Sequence, residues 1–219
     1  PVVSCNPIND IRIETVGPPF KGNKVKIADD GEILMKGHCI MQGYYKRDDL
    51  TAETIKDGYL HSGDIGEIDS EGFLKITDRK KEIFKTSGGK YVSPQLLENA
   101  MKQSRFVEQI MVIGDGQKMP AAFIQPNFEF VKEWAKLHKT DIGTTNEEII
   151  TNPEVIKRIK QEVDTVNEKF GNWEKIKKFE LTPDLWTVHA GHLTPTMKLK
   201  RKVVMEKYIN LFHKIYDSN

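Results

Sequence analysis

The first third of the chain alternates apolar and polar residues in short runs, a period typical of β-strands. The runs Val25–Ala28 and Glu32–Lys36 flank the turn Asp29-Asp30-Gly31 and therefore predict a hairpin. Because several short strands with regular turns favour a closed or curled sheet, we expect a small barrel or a curled sheet here. A second hairpin is predicted from Asp64–Asp69 and Phe73–Thr77. A short helix is predicted at Asp48–Thr54.

After residue 81 the apolar positions recur with helical spacing. A stripe that runs from Ile156 to Phe170 predicts a helix over Pro153–Phe170 packed on a core. The same spacing from Val204 to Ile215 predicts a last helix, and Leu185–Lys200 before it is polar and expected to be exposed. These patterns together predict an α+β fold. The other predicted elements are strands at 82–86, 107–114, 121–125 and 176–181 and helices at 95–103 and 127–139.

Charge is distributed unevenly over the 219 residues, a length that suits one large or two small domains. Residues 1–78 hold 9 Lys/Arg and 14 Asp/Glu, whereas residues 79–219 hold 24 and 18. The change of sign suggests two modules, the second of which meets an anionic partner. A solvated lysine-rich surface would explain the same counts.

Several classes of protein are excluded by simple features. The longest aliphatic run, Ile110–Ile113, is far too short for a membrane span. No secretory leader is seen, so a cytoplasmic protein is expected. Cys5 and Cys39 have neither metal-ligand spacing nor a disulfide framework, so no metal site is expected.

Two segments combine glycine with charged groups. In Gly58–Asp64 the carboxylate of Asp64 can project from a turn and accept two vicinal hydroxyls, as on a ribose, although a plain turn-forming acid is the alternative. In Thr77–Val92 the pair Gly88-Gly89 lies among basic residues, and its accessible backbone N–H groups favour an anion, although a lysine-rich hairpin with a glycine turn is the alternative. The second segment lacks P-loop spacing, which excludes a loop of the nucleotide-hydrolase type.

Two later segments are rich in lysine. Trp173–Phe179 alternates basic and apolar residues, as a half-buried strand with a solvated face would. Leu193–Lys202 carries a proline and then four cations at the start of a predicted helix, where they oppose the helix dipole. Because such cations destabilise a helix, we expect that they serve a function.

Taken in order, these motifs resemble the C-terminal third of the adenylate-forming (acyl-CoA synthetase) superfamily, and most of all its long-chain fatty acid–CoA ligases. Gly31–Gly37 with Gln42–Tyr45 is similar to the family's barrel motif, and Tyr59–Asp64 to its Ser/Thr-Gly-Asp motif. Asp78–Glu98 resembles the family's hinge and glycine loop. Its Gly-Gly-Lys-Tyr-Val-x-Pro motif resembles that of the fatty acyl branch. Leu193–Arg201 resembles the lysine segment near the family's end.

The resemblance implies a small distorted β-barrel subdomain over 1–79, followed by a mobile, mixed α/β C-terminal lid domain over 80–219. In the family a large N-terminal domain precedes this stretch and holds the phosphate loop, the acid that binds Mg²⁺ and most of the acyl pocket. The chain is therefore expected to be an excised fragment that is inactive alone and acts with ATP, CoA, a fatty acid and the missing domain. The fatty acid would also allow a peripheral contact with a membrane.

The resemblance also implies a role for each matched residue. Asp64 would hold the ribose hydroxyls of ATP or AMP, with Arg79 as the cation beside them. Lys198 would be the catalytic lysine that stabilises charge on the α-phosphate while acyl-AMP forms. Lys81 occupies the hinge about which the lid would rotate before CoA attacks. The loop that would then border the CoA channel contains Lys85, Gly88 and Gly89.

Two alternatives stay open at this point. Another carboxylate-adenylating enzyme, acting on amino acids or aryl acids or resembling luciferase, would carry similar motifs because the acid pocket lies outside the chain. A non-catalytic basic module for RNA or anionic lipid would need aromatic residues interleaved with its lysines. Phe84, Tyr91 and Phe179 are few and are expected to be packed, so a nucleic-acid partner is not expected.

Overall fold

The computed structural model describes residues 2–217. Contacts divide the chain into two compact units, Pro1–Ile83 and Phe84–Asn219. Strands dominate the first unit and helices mix with strands in the second, which confirms the predicted α+β fold. Within the described residues, no helix is both long and apolar enough to cross a membrane.

The first unit is built on one antiparallel sheet. Its described elements are β1 (Lys24–Ile27), β2 (Glu32–Lys36), α1 (Asp48–Thr54), β3 (Ile55–Lys56), β4 (Tyr59–Ile68) and β5 (Leu74–Arg79). The strand order is β1-β2-β4-β3, and β5 also pairs with β4. Over residues 2–83 no pairing joins the ends of this sheet, so the expected barrel is an open sheet and not a closed one.

Strand β4 is longer than predicted, because it begins at Tyr59 and not at Asp64. Its first residues pair with β3 and its later ones with β5. The register against β5 shifts between Ile65 and Gly66, directly after Asp64. Such a bulge increases the local twist of the sheet and redirects the neighbouring side chains.

A three-stranded sheet forms the centre of the second unit. The described elements are β6 (Phe84–Lys85), β7 (Tyr91–Val92), α2 (Pro94–Met101), β8 (Val107–Ile113), β9 (Ala121–Pro126), α3 (Phe128–His138), α4 (Asn146–Thr151), α5 (Pro153–Asn167), β10 (Lys178–Leu181), α6 (Arg201–Lys207) and α7 (Ile209–Tyr216). The order of the central sheet is β10-β9-β8, with β10 parallel and β8 antiparallel to β9. Strands β6 and β7 form a separate hairpin.

Both faces of the central sheet are covered, which explains the unbroken apolar run of β8. Ile110 and Val112 belong to one core cluster, together with buried residues of α2, α3 and α5. Met111 and Ile113 belong to a second cluster on the opposite face, with residues of α6 and α7. Successive strand residues point to opposite faces, so a strand buried on both sides loses its polar positions.

Helix α5 begins at Pro153 as predicted, but its apolar stripe and its C-terminal end differ from the prediction. Its buried stripe starts at Val155, and Ile156 is 37% exposed. The helix ends at Asn167, so Phe170 packs against the core from beyond the helix. Apolar residues three or four positions apart both form a stripe on a helix, so periodicity alone does not tell whether Val155 or Ile156 is buried. Tertiary packing decides between them.

Two predictions for the end of the chain were wrong. The single last helix is two helices, α6 and α7, which meet at Tyr208, where the backbone leaves helical dihedrals. Segment 185–200 is not uniformly exposed, since Trp186, His192 and Leu193 are buried. Trp186 packs in a core cluster with Phe123 of β9, and such a contact between residues that are far apart in the sequence is not indicated by local patterning.

Candidate functional site

Asp64 and Arg79 face each other across β4 and β5, where their Cα atoms are paired. Nε of Arg79 lies 3.0 Å from Oδ1 of Asp64. This contact uses one of the two carboxylate oxygens, and the guanidinium remains about half exposed. The structure therefore places Asp64 and Arg79 in contact, in an arrangement that can accept hydroxyl donors beside a cation.

A buried glutamate, which sequence reasoning missed, supports the backbone in front of Asp64. Oε1 of Glu32 accepts a hydrogen bond from the N–H of Gly63 at 2.9 Å, and Oε2 lies 3.0 Å from Nδ1 of His61 and 2.9 Å from Nζ of Lys80. Gly63 has a φ of +73°, a conformation that suits glycine. Burial acts to raise the pKa of Glu32, but the hydrogen bonds from Lys80, His61 and Gly63 outweigh it and lower the pKa.

The predicted hinge follows directly on this cluster. The backbone N–H of Lys80 donates to the carbonyl of Gly63 at 2.8 Å, and its Nζ lies 2.6 Å from Oδ2 of Asp30. Lys81 is exposed, and the N–H groups of the next two residues fold back onto the carbonyl of Arg79. The side chain of Lys80 therefore anchors the end of this strand, one residue before the predicted hinge.

The glycine loop is a tight turn that closes the β6–β7 hairpin. The N–H of Thr86 donates to the carbonyl of Lys90 at 2.9 Å, and the N–H of Gly89 donates to the carbonyl of Thr86 at 2.8 Å. Gly89 has a φ of +80°, whereas Gly88 does not require a left-handed backbone. A Cβ on Gly88 would meet only Oγ1 of Thr86, at 4.0 Å, so the fold itself leaves room for a side chain there.

Aromatic and basic side chains flank this loop. Nζ of Lys85 lies 5.5 Å from the ring centre of Tyr91, and Nζ of Lys90 lies 5.6 Å from that of Trp173. Tyr91 is 66% exposed and Trp173 is 51% exposed, so the expectation that the nearby aromatics are packed holds for buried Phe84 but fails for Tyr91. Exposed rings next to ammonium groups can hold a ligand that is both flat and anionic.

Lys198 lies at the end of a short hairpin turn. The N–H of Thr194 donates to the carbonyl of Lys198 at 2.8 Å, and the N–H of Lys198 donates to Oγ1 of Thr194 at 3.0 Å. Met197 in this turn has a φ of +62°, which is unusual for a residue with a side chain. Leu193 and Leu199 form a β-bridge below the turn, and Lys198 itself is exposed. The turn thus presents a lysine on a closed, hydrogen-bonded frame.

A polar network secures the segment that leads to this turn. The hydroxyl of Tyr208 donates to Oδ2 of Asp184 at 2.8 Å and accepts from Nε1 of Trp186 at 3.2 Å. Nζ of Lys207 lies 3.1 Å from Asp184 and 3.3 Å from Nε2 of His192. Burial raises the pKa of Tyr208, and burial together with Lys207 lowers the pKa of His192. These long-range contacts have no local sequence signal.

The four cations near the turn do not share one role. Arg201 is partly buried and forms an ion pair with Glu98, with 2.6 Å between Nη1 and Oε1. The side chain of Lys202 is 90% exposed, and its Nζ lies 3.9 Å from Oε1 of Glu206. Arg201 thus has a structural partner, contrary to the expectation that only function accounts for these charges.

Among residues 2–217 no group of three His, Cys, Asp or Glu side chains is arranged to hold a metal ion, and both cysteines are free thiols. The groups present in these residues do not fit a Mg²⁺ site.

Comparison with known families and proteins places these features in context. A family described as the AMP-binding enzyme C-terminal domain matches residues 81–219. A long-chain fatty acid–CoA ligase of Mycobacterium tuberculosis is 39% identical over 98% of this chain and 36% of its own length. A fatty acyl-CoA synthetase of Dictyostelium discoideum is 36% identical over 97% of this chain and 34% of its own length. The chain thus spans about a third of the curated relatives it matches.

Solved structures show the same fold at lower identity. The adenylation domain of a carboxylate reductase from Mycobacterium chelonae has a TM-score of 0.73 at 23% identity, over 92% of this chain and 32% of that one. The corresponding domain from Segniliparus rugosus, in complex with AMP and a co-purified carboxylic acid, has a TM-score of 0.71 at 24% identity, over 91% of this chain and 32% of that one.

Proposed function

This chain belongs to the family of AMP-binding enzyme C-terminal domains, and from that premise we propose that it is the C-terminal part of a long-chain fatty acid–CoA ligase that forms AMP. The observation that carries the proposal is Lys198, an exposed ammonium on a hydrogen-bonded hairpin within the matched family segment. The identity to a long-chain fatty acid–CoA ligase over nearly the whole chain supports the fatty acyl branch.

In the first half-reaction a carboxylate oxygen of the fatty acid attacks the α-phosphorus of ATP. The bond to pyrophosphate breaks, and acyl-AMP is formed. Negative charge builds on the oxygens around the α-phosphorus, and the ammonium of Lys198 stabilises it there. Asp64 accepts hydrogen bonds from the ribose hydroxyls while Arg79 lies beside them, so the α-phosphate is held for in-line attack.

In the second half-reaction the thiol of CoA loses its proton and attacks the acyl carbon, and AMP leaves. Rotation about Lys81 removes the lysine turn and brings the glycine loop to the site. Gly88 and Gly89 leave room for the pantetheine chain, and Lys85 lies at the edge of its channel. The exposed rings of Tyr91 and Trp173, each beside a lysine, suit the adenine and phosphates of CoA.

The remaining parts of the proposal concern the whole enzyme. We assign residues 1–79 to the large N-terminal domain and residues 80–219 to the lid. Mg²⁺ would be held by an acid of that domain, outside this chain. The enzyme would act in the cytoplasm and contact membranes only peripherally, through its fatty acid.

The decisive experiment measures acid-dependent ATP–pyrophosphate exchange by the full-length protein and by residues 1–219 alone. We expect exchange with a long-chain fatty acid for the full-length protein, and none from residues 1–219. Exchange that depends on an amino acid or an aryl acid would assign another branch of the family. Salt-dependent RNA binding without any exchange would instead support the basic binding module.

A further inference from the structure

Strand β8 lies at the edge of the central sheet, and two side chains close part of that edge. In an antiparallel pair, alternate residues direct both their N–H and their C=O away from the partner strand. Val112 is such a residue: its N–H donates to Oε1 of Glu98 at 2.7 Å, and its C=O accepts from Nη2 of Arg201. Glu98 and Arg201 thus replace the hydrogen bonds of a missing neighbouring strand.

The two side chains are also bound to each other. Nη1 of Arg201 lies 2.6 Å from the Oε1 of Glu98 that accepts from Val112. Glu98 is buried, and Arg201 is three-quarters buried on its side chain. A guanidinium suits this place because its planar fork can donate to a carboxylate and a carbonyl at once, which an ammonium does with poorer geometry.

Arg201 is the first residue of α6 and follows Lys198 by three positions. The hairpin that carries Lys198 is closed internally by the Leu193–Leu199 bridge and by the N–H of Lys200, which donates to the carbonyl of His192 at 2.8 Å. Because these contacts lie within the hairpin, its orientation depends on how the residues at its base are attached. On its C-terminal side the base is attached to the sheet through Arg201, whereas the segment that precedes the hairpin is attached through the N–H of Trp186, which donates to Oε1 of Gln125 at 2.7 Å.

The partner helix does not depend on this contact. Helix α2 buries Pro94, Leu97 and Met101 in the core, so it stays in place without Arg201. Loss of the ion pair would therefore loosen the C-terminal base of the lysine hairpin and leave α2 and the glycine loop in front of it unchanged.

We propose that Glu98 and Arg201 are positioning residues that aim Lys198 at the α-phosphate, and that they matter for adenylation but not for thioester formation. The inference rests on the proposed role of Lys198. Displacement of a catalytic group by about 1 Å can cost ~10²-fold in rate. Only the step that uses Lys198 would show that loss.

The test uses the full-length ligase with Arg201→Lys and Glu98→Gln. Arg158→Lys is the matched control, because Arg158 forms a similarly buried pair with Glu162 on α5, at 2.5 Å. We expect Arg201→Lys to lower kcat for adenylation at least about tenfold with KM for ATP nearly unchanged. Thioester formation from supplied acyl-AMP should stay normal, and the control should leave both steps normal at a comparable Tm.

Equal losses in the two half-reactions, or the same loss in Arg158→Lys, would overturn the proposal in favour of a general role in stability. Failure of both Arg201→Lys and Glu98→Gln to fold, while Arg158→Lys folds, would overturn it in the same way. Lys198→Ala separates the two hypotheses. If it leaves adenylation intact, the proposed function fails, whereas a normal Arg201→Lys beside a crippled Lys198→Ala removes only the positioning role.

Discussion

Each unit supports its candidate residues on a buried glutamate, and the two glutamates lie in different electrostatic surroundings. Glu32 in the first unit lies beside two groups that can carry positive charge, Lys80 and His61, and it also accepts a backbone N–H. Glu98 in the second unit is paired with Arg201 inside a core. Hydrogen bonds lower the pKa of Glu32 in spite of its burial, whereas burial dominates and raises the pKa of Glu98.

The comparison shows how similar devices can serve different purposes. Glu32 joins strands of one sheet and supports the β4 backbone beside Asp64, so the geometry of the proposed ribose site is held within the first unit. Glu98 joins a sheet edge to a hairpin that is distant in sequence, since Arg201 and Val112 are 89 positions apart. The Glu98–Arg201 pair therefore supports a segment that, in the proposed mechanism, takes part only in adenylation.

The largest expected effect follows from removing the charge of Lys198, whose hairpin the Glu98–Arg201 pair is proposed to position. In the full-length enzyme, Lys198→Ala should lower the adenylation rate by ~10²–10³-fold, because a preorganised charge at the α-phosphate is lost. Thioester formation from supplied acyl-AMP should change little. Lys202→Ala, at an exposed lysine four positions on, is the control and should leave both steps normal. Parallel losses in both steps would contradict the alternating use of the lid.

A smaller effect, but one in both half-reactions, is expected from the loss of Asp64, beside the backbone that Glu32 supports. Ribose is present in ATP and in acyl-AMP, so Asp64→Ala should weaken both half-reactions. Hydrogen bonds to a charged group are worth about 1.5–3 kcal/mol, or roughly 10–100-fold. Asp29→Ala changes an exposed acid of the β1–β2 turn and should have no effect. A loss confined to one half-reaction would show that Asp64 does not hold the ribose.

The glycine loop is expected to depend on the absence of a side chain at Gly88. Gly88→Leu should slow thioester formation about tenfold or more by filling the CoA channel, because extra atoms in a fitted space are costly. Adenylation and Tm should remain normal, since a Cβ there has open space in the fold. Gly88→Ala serves as the graded control. Equal slowing of both steps would contradict the assignment of this loop to the CoA channel.

The smallest expected effect compares the two glutamates directly. A lowered pKa gives Glu32 a stabilising contribution that is present above pH 4.5 and is lost as the pH falls through its folded value. A raised pKa gives Glu98 the opposite dependence, so its contribution is present below pH 4.5 and is lost as the pH rises through its folded value. One proton limits each slope to about 1.4 kcal/mol per pH unit.

Urea unfolding of the wild type, Glu32→Gln and Glu98→Gln over a pH series measures these slopes. The stability lost in Glu32→Gln should grow as the pH rises through the acidic range, and the stability lost in Glu98→Gln should shrink. Slopes of the same sign for the two variants would show that the electrostatic contrast is wrong.

Local signals were sufficient for much of the fold. The turn at Asp29-Asp30-Gly31 joins the predicted strands β1 and β2, and Asn127 and Lys139 cap a helix within the predicted bounds of α3. These elements follow from turn chemistry, capping and periodicity, which act over a few residues. Helix α4 was missed, although Thr145 and Glu148 form a capping box that a search for this pattern would have found.

The candidate site was predictable only in part. The motifs placed Asp64, Arg79 and Lys198 in the sequence, and the structure added the contact between the first two and the closed turn around the third. Supporting residues such as Glu32 and Glu98 have no motif of their own. Their importance comes from burial and from partners that are far away in the sequence.

The sequence by itself determined the type of most elements, the division into an acidic and a basic part and the identity of the motif residues, because periodicity, turn chemistry and charge are written along the chain. Only the tertiary structure decided that the first sheet stays open, that segment 185–200 enters a core, and that a glutamate of α2 and an arginine of α6 close one edge of β8. Those outcomes depend on which distant backbone groups remain unpaired, and that is fixed only when the strands have assembled.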